Sequence, residues 1–139
     1  MYEKILVATD GSEGAERAVQ TALDIAEADE AELHALYVVD TTRFAEPALS
    51  TAELATEEVE SYGSDLVDAV KRRGEDRGLT AVGRTCHGKI WEEITAYAAD
   101  VDAGLIVLGT RGRGGVRPPR IGRVATRVVQ STDIPTLIV

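Results

Sequence analysis

The sequence predicts an α/β fold, a parallel sheet lying between two layers of helices, and three observations support it. Strand-like apolar runs alternate with helical patterns along the whole chain, which is typical of right-handed strand–helix–strand units. Residues 33–39 have apolar side chains on both faces, as expected of a central parallel strand. The 139 residues, 44% of them hydrophobic, are enough for one core. We therefore expect a single three-layer α/β domain over residues 1–139, with five strands and about four helices.

The first strand and helix are predicted by an apolar run followed by a turn signal. Ile5–Thr9 is a short apolar run, and the sequence Asp-Gly-Ser at 10–12 favours a turn and the start of a helix. Alanine, valine and leucine then recur at helical spacing to about Ala28.

The second unit consists of a central strand, a loop and a long helix. The strand is Leu33–Val39, and residues 40–51 are predicted to form the loop. An amphipathic helix follows, with an apolar stripe over Ala55–Val70, and Gly74 and Gly78 are expected to end it.

The remaining elements are shorter. They are a weak third strand at Leu79–Arg84, a third helix at Ile90–Ala98, a fourth strand at Leu105–Leu108, a fourth helix at Val124–Val129 and a fifth strand at Pro135–Val139. The aromatic residues of the third helix lie on its apolar stripe, which predicts core or interface positions.

A glycine- and arginine-rich loop follows the fourth strand. The strand stops at Gly109, and a helical pattern begins near Gly122. Between them lie Gly112, Gly114 and Gly115, which alternate with Arg111 and Arg113. Glycines let the backbone approach a ligand closely, a helix start aims N–H groups at it, and arginines suit phosphate oxygens. The segment predicts a phosphate-binding loop, although it is not a P-loop because no Gly-Lys-Ser/Thr follows the glycines.

The charge distribution points to the same segment. The chain has a net charge of −9, yet residues 111–127 hold six of its 15 basic residues and no acidic one. An isolated basic segment in an acidic protein favours an anionic ligand, although these arginines could instead pair with the acidic surface. The overall charge argues against binding to nucleic acid or to an anionic membrane, and no apolar run is long enough to span a bilayer. No leader segment is predicted, and the single cysteine excludes an internal disulfide.

Two of these features are expected to meet at one edge of the sheet. In an open parallel sheet, ligands bind beyond the carboxyl ends of the strands, where the connection direction reverses. Asp10 follows the first strand and Gly109 follows the fourth. If those strands are neighbours, the two residues face each other across one crevice.

The chain resembles the universal stress protein family, and the likeness extends over its whole length. The residues that carry it are Ile-Leu-Val-Ala-Thr-Asp-Gly-Ser at 5–12, Leu-Tyr-Val-Val-Asp at 36–40 and Ile-Pro-Thr-Leu-Ile-Val at 134–139. The family's nucleotide-binding branch has the pattern Gly-x2-Gly-x9-Gly-Ser/Thr, and Gly109, Gly112 and Gly122 match its glycines.

The resemblance implies a sheet in the order 3-2-1-4-5 that binds ATP, with or without Mg²⁺, at the ends of strands one and four. It implies that the nucleotide contacts Ala8, Thr9, Asp10, Val38, Gly109, Thr110, Arg111, Gly112, Arg113, Gly114, Gly115, Gly122, Arg123, Val124 and Ala125. It also implies a cytoplasmic regulator that forms a homodimer through the C-terminal strand, Pro135 to Val139, and acts on a protein partner. Neither a metal site made by the protein nor a catalytic residue is expected.

The chain departs from the family pattern after the third glycine. Arg123 stands where a Ser or Thr is expected, and Ala125 also lacks the usual hydroxyl. Arg123 could preserve phosphate affinity and weaken the placement of magnesium, or it could fill the pocket. The second possibility leaves a scaffold that works through dimerisation and protein contacts. A third interpretation is a slow ATPase, although the loop has no carboxylate to orient a water molecule.

Four other residues have competing interpretations. Asp10 suits either a ligand contact or a turn, because Ser12 can cap the first helix instead. His34 is expected to be a half-buried structural residue. Cys86 and His87 suggest a nucleophile and its base, but neighbours in an extended segment rarely face each other, so no catalysis is expected there.

Overall fold

The computed structural model describes residues 1–41, 49–110 and 122–139, and for residues 49–56 it describes the backbone alone. Five strands alternate with four helices within these ranges. The elements are β1 (Lys4–Ala8), α1 (Glu13–Asp29), β2 (Glu32–Asp40), α2 (Leu49–Asp76), β3 (Ala81–Gly88), α3 (Ile90–Asp100), β4 (Leu105–Leu108), α4 (Arg123–Ser131) and β5 (Thr136–Ile138). Every strand pair is parallel, and the sheet order is β3-β2-β1-β4-β5. The predicted fold class and strand order are confirmed.

The sheet separates two apolar layers. On one face, β1, β2 and β4 pack against α1 and α2, through residues such as Val7, Leu23, Leu33 and Val67. On the other face, alternate residues of the same strands pack against α3 and α4, through Leu6, Leu36, Ile94 and Val128. Because both faces of β1, β2 and β4 are buried, their interior positions are apolar apart from His34, and the charged residues Lys4, Glu32 and Asp40 lie at strand ends. The arrangement puts β1 at the centre, between β2 and β4.

Helix α2 differs most from the sequence prediction. It begins at Leu49, inside the segment predicted as a loop over 40–51, because good helix formers continue the pattern upstream of Ala55. It also passes through Gly74 and ends at Asp76. A Cβ at Gly74 would lie 3.0 Å from the Ala81 Cβ, so this glycine permits close packing on β3 rather than ending the helix. Gly78, with φ of 80°, forms the turn that follows.

Strand β3 is also displaced from its prediction. The pattern favoured Leu79–Arg84, whereas the strand runs over Ala81–Gly88. Its length is set by β2, whose residues pair with it from Leu33 opposite Ala81 to Asp40 opposite Gly88. A neighbouring strand can therefore extend an edge strand well beyond its own apolar run. The other elements lie within two residues of their predicted bounds.

Candidate functional site

A cavity of about 570 Å³ opens at the carboxyl ends of β1, β2 and β4. The described residues that line it are Ala8, Thr9, Asp10, Ser12, Ala15, Leu36, Tyr37, Val38, Asp40, Val59, Ile90, Ile94, Leu108, Gly109, Thr110, Gly122, Arg123, Val124 and Ala125. Because β1 and β4 are neighbours, Asp10 and Gly109 do meet at one crevice, as the sequence predicted. The position is where ligands bind in open parallel sheets.

The turn between β1 and α1 is held by its own polar groups. The Ser12 amide donates to Asp10 Oδ1 at 2.9 Å, and the Gly11 amide donates to Thr9 Oγ1 at 3.2 Å. Ser12 caps α1, because its hydroxyl accepts a hydrogen bond from the Ala15 amide at 3.1 Å. Asp10 therefore has the turn role that the sequence left open, and it also lines the cavity. Its other carboxylate oxygen makes no hydrogen bond with any residue the structure describes.

Tyr62 braces this turn from α2. Its hydroxyl donates to the Asp10 carbonyl oxygen at 3.3 Å. A Cβ at Gly11, where φ is 81°, would overlap that hydroxyl and lie 3.2 Å from the ring carbon that bears it. The turn thus needs glycine at this position for both its backbone conformation and its packing.

Gly109 is required by packing as well as by its place on the cavity wall. A Cβ at this position would lie 2.6 Å from the Gly14 carbonyl carbon and oxygen and 3.0 Å from the Ala15 nitrogen. These are backbone atoms of the first turn of α1, which cannot rotate away as a side chain can. The absence of a side chain at Gly109 lets the end of β4 lie directly against α1.

The start of α4 forms the opposite wall of the cavity. Gly122 is the N-cap residue, in an extended conformation, and it has no side chain to cap the helix. The amides of Arg123, Val124 and Ala125 are therefore the first of the helix, and they make no hydrogen bond with the residues that the structure describes. The dipole of the helix and these N–H groups favour an anion at this end. Arg123 lines this wall, is exposed and adds a positive charge to it.

Ten of the fifteen residues implied by the resemblance line this cavity. They are Ala8, Thr9, Asp10, Val38, Gly109, Thr110, Gly122, Arg123, Val124 and Ala125. The other five, Arg111, Gly112, Arg113, Gly114 and Gly115, lie outside the described residues.

Several lining residues were not predicted from the sequence. Asp40 is the last residue of β2, as Asp10 lies just beyond β1, so the same signal of an acid at a strand end could have indicated it. Ile90 and Ile94 fall on the apolar stripe of α3, and they serve both the core and the cavity wall. Tyr37 and Val59 gave no such signal, because their place in the wall depends on how α2 packs across β2.

The family comparisons agree with this geometry. Residues 1–139 match the model of the family described as the universal stress protein family. The chain belongs to the universal stress protein family. Among characterised sequences, it is 35% identical to universal stress protein MJ0531 of Methanocaldococcus jannaschii, over all of this chain and 82% of that protein.

Solved structures show the same universal stress protein fold. The structure of hypothetical protein MJ0577 has a TM-score of 0.93 and 25% identity, over 100% of this chain and 96% of that one. A universal stress protein solved in complex with cAMP has a TM-score of 0.67 and 26% identity, over 99% of this chain and 96% of that one.

The histidines and the cysteine of this universal stress protein lie away from the cavity lining. His34 is buried rather than half-buried as expected: it is only 6% exposed, with Nδ1 2.8 Å from the Tyr97 hydroxyl and Nε2 2.6 Å from Glu32 Oε1. Both ring nitrogens therefore have partners within the protein. Cys86 packs on the α3–α4 side of the sheet, whereas His87 pairs with Glu60 of α2. Strand alternation thus separates this cysteine from its neighbouring histidine.

Burial also makes the cysteine a poor nucleophile. It raises the pKa of the Cys86 thiol to about 11, and the nearby Glu93 carboxylate adds to the shift. The thiolate is the reactive form of cysteine, so Cys86 is almost entirely the unreactive thiol at neutral pH.

Metal-binding clusters and membrane spans are both missing from the described parts of the chain. These parts contain no group of three or more His, Cys, Asp or Glu residues arranged to hold a metal ion. No helix among them is long and apolar enough to cross a membrane.

Proposed function

We propose that this universal stress protein binds an adenine nucleotide, ATP or a close relative, in the cavity at the ends of β1, β2 and β4. One observation carries the proposal: the uncapped N-terminus of α4, with Arg123, faces a cavity whose other side holds Val38 and Asp10. A phosphate suits the side of the cavity at the α4 N-terminus. An apolar ring that carries hydroxyl donors suits the side at Val38 and Asp10. The relative solved with cAMP, 26% identical, supports the same ligand class.

The nucleotide acts in this proposal as a regulatory ligand rather than as a substrate. Residues 109–127 contain no acidic side chain, so this segment supplies no carboxylate to orient an attacking water. If Mg²⁺ accompanies ATP, it is held largely by the phosphates, since Arg123 cannot act as a metal ligand. Binding would then change a surface that a protein partner recognises in the cytoplasm.

Calorimetric titration with ATP, ADP, AMP and cAMP, each with and without Mg²⁺, tests the proposal. The sharpest variant is Gly122→Asp, because Gly122 has φ of −69° and ψ of 164°, a conformation that any N-cap residue adopts. The new carboxylate would cap α4 and occupy the anion position itself. We expect stability to rise by a few tenths of a kcal/mol from the cap, and by up to about 1 kcal/mol once the carboxylate's attraction to the helix dipole is included. We expect affinity for the nucleotide to fall at least about tenfold by charge repulsion and blocked amides.

The matched control is Gly122→Ala, which adds a Cβ without a cap or a charge. If both variants lose affinity equally, the space at Gly122 matters and the anion site does not. If the wild-type protein binds no nucleotide and none co-purifies with it, a scaffold function replaces this proposal. A gain of ATP binding in Arg123→Ser would also favour the scaffold, because it would show that Arg123 obstructs the site.

A homodimer through the C-terminal strand is also proposed. Strand β5 lies at the edge of the sheet and pairs only with β4 among the described strands. Leu137 on this strand is 38% exposed and Val129 on α4 is 49% exposed, so the edge carries apolar surface. An uncovered edge strand favours pairing with another chain. Sedimentation at micromolar concentration tests this, with Leu137→Glu expected to give monomers and a monomeric wild type contradicting the proposal.

A further inference from the structure

Among the described helices and strands, α3 is the neighbour that helix α4 contacts most extensively. Helix α4 also packs, to a smaller extent, against β5. Its two buried residues, Ala125 and Val128, belong to the apolar layer that α3 shares on this face of the sheet. The position of its first turn, which forms a wall of the cavity, therefore depends on what fixes α4 to α3.

A cation–π contact joins these two helices. The Arg127 guanidinium carbon lies 4.5 Å from the centre of the Trp91 ring, within the range in which a cation is attracted to an aromatic face. Trp91 is in the first turn of α3, between the cavity-lining residues Ile90 and Ile94. Arg127 is four residues after Arg123 and so lies on the same face of α4, one turn away from the cavity.

Arg127 itself is not among the described residues that line the cavity. The sequence grouped it with the other arginines of 111–127 as part of a basic surface for an anion. The structure separates the two described members of that group, because Arg123 lines the cavity and Arg127 is stacked on Trp91. An effect of Arg127 on an anionic ligand would therefore be exerted through the position of α4.

We propose that Arg127 is a positioning residue, whose stack on Trp91 holds the first turn of α4 where its amides converge on the anionic end of the ligand. This inference rests on the proposed nucleotide site. It also makes Trp91, the only tryptophan of the chain, a reporter of ligand binding, because the ligand engages the turn that precedes the stacked arginine.

A double-mutant cycle distinguishes positioning from simple charge attraction. Arg127→Met removes the cation and keeps a long side chain, whereas Trp91→Leu removes the ring and leaves every charge in place. We expect each to weaken ATP binding about twofold to fivefold, the range of a lost cation–π contact at an exposed site such as Arg127. The double variant should lose no more than either single one, because both remove the same interaction. Arg72→Met, an exposed arginine on α2, is the control for loss of one positive charge and should bind normally.

The opposite results overturn the proposal. If the effects of Arg127→Met and Trp91→Leu add, or if only Arg127→Met weakens binding, Arg127 attracts the ligand by charge alone. If neither changes affinity, the stack does not position the site. Trp91 fluorescence that stays constant at saturating ATP in the wild type would also contradict the coupling.

A ligand-free measurement keeps this test separate from that of the proposed function. Amide hydrogen exchange in residues 126–130, where the intrahelical hydrogen bonds of α4 begin with Thr126 N–H to Gly122 O, should become faster in both single variants without any nucleotide, while exchange in α1 stays unchanged. If the wild type binds no nucleotide, the proposed function fails. The amide exchange rates of the ligand-free variants then decide whether the stack of Arg127 on Trp91 holds α4 in place. Unchanged exchange in α4 would overturn the positioning role in either case.

Discussion

The packing role of Gly109 leads to a prediction about stability. In the family pattern this glycine belongs to the ligand loop, so its replacement should affect only binding. In the structure, a Cβ at Gly109 would lie 2.6 Å from two backbone atoms of Gly14, whereas ordinary contacts begin at 3.4 Å. Either α1 or the end of β4 would have to move by about 0.8 Å, the difference between these distances.

The cost of this movement is set by how firmly both sides are held. Helix α1 is fixed by the Ser12 cap and by a row of buried residues, and β4 lies between β1 and β5. Overpacking of a well-filled interior costs about 1–3 kcal/mol, and a clash between two backbones falls at the upper end of that range. For a chain of this size, ~3 kcal/mol lowers Tm by roughly 10 °C.

Thermal and urea unfolding of Gly109→Ala without nucleotide measures the effect, and Gly104→Ala is the matched control. A Cβ at Gly104 would lie 3.4 Å from the Tyr2 ring and 3.7 Å from the Lys4 oxygen, which are ordinary contacts. We expect Gly104→Ala to change stability by less than about 0.5 kcal/mol. Equal stabilities for the two variants would refute the packing argument and return Gly109 to a role in ligand binding alone.

Three further predictions concern the turn, the helix cap and the cysteine. Gly11→Ala should lower the free energy of unfolding by about 2 kcal/mol, through its positive φ and the clash with Tyr62. Adding Tyr62→Phe to this variant should restore only part of that loss. Full restoration in urea unfolding would show that the backbone is unstrained. Ser12→Ala should lower the free energy of unfolding by about 1 kcal/mol. Ser61→Ala, at an exposed position inside α2, should raise it slightly because alanine favours helix; equal losses in both variants would contradict the cap. The pKa of Cys86 rises from 9.0 to about 11, so its thiolate fraction at pH 8 is on the order of 100-fold below that of an ordinary thiol. Iodoacetamide should therefore modify Cys86 far faster in urea than in the native protein, and equal rates would show that the thiol is not shielded.

Much of the fold could be predicted because its signals are local. An apolar run such as Leu105–Leu108 predicts a buried strand when glycine follows it and helical patterns flank it. The Asp-Gly-Ser turn likewise contains within four residues the groups that stabilise it. The predicted bounds were wrong where a partner extends an element, as β2 extends β3 to Gly88, and where Gly74 continues a helix that a glycine was expected to end.

The candidate site was predictable only in part, because some of its residues follow from local signals and others from the packing of distant elements. Residues at strand ends and at a helix start meet whenever the strand order is known, so Asp10, Gly109 and Gly122 could be assigned to one crevice from the sequence and the family resemblance. The lining residues of α2 and α3 were missed because their positions follow from helix packing across the sheet, which no local pattern encodes.

The sequence alone determined the α/β class, the alternation of elements and the basic segment that points to an anion, since these depend on periodicity, turn chemistry and charge count. Only the tertiary structure decided what individual residues of those patterns do. Gly109 serves packing against Gly14, and Arg127 stacks on Trp91, a residue 36 positions away in the sequence. Such roles are fixed by distances between distant parts of the chain, and those distances exist only after the sheet and its two helical layers have packed together.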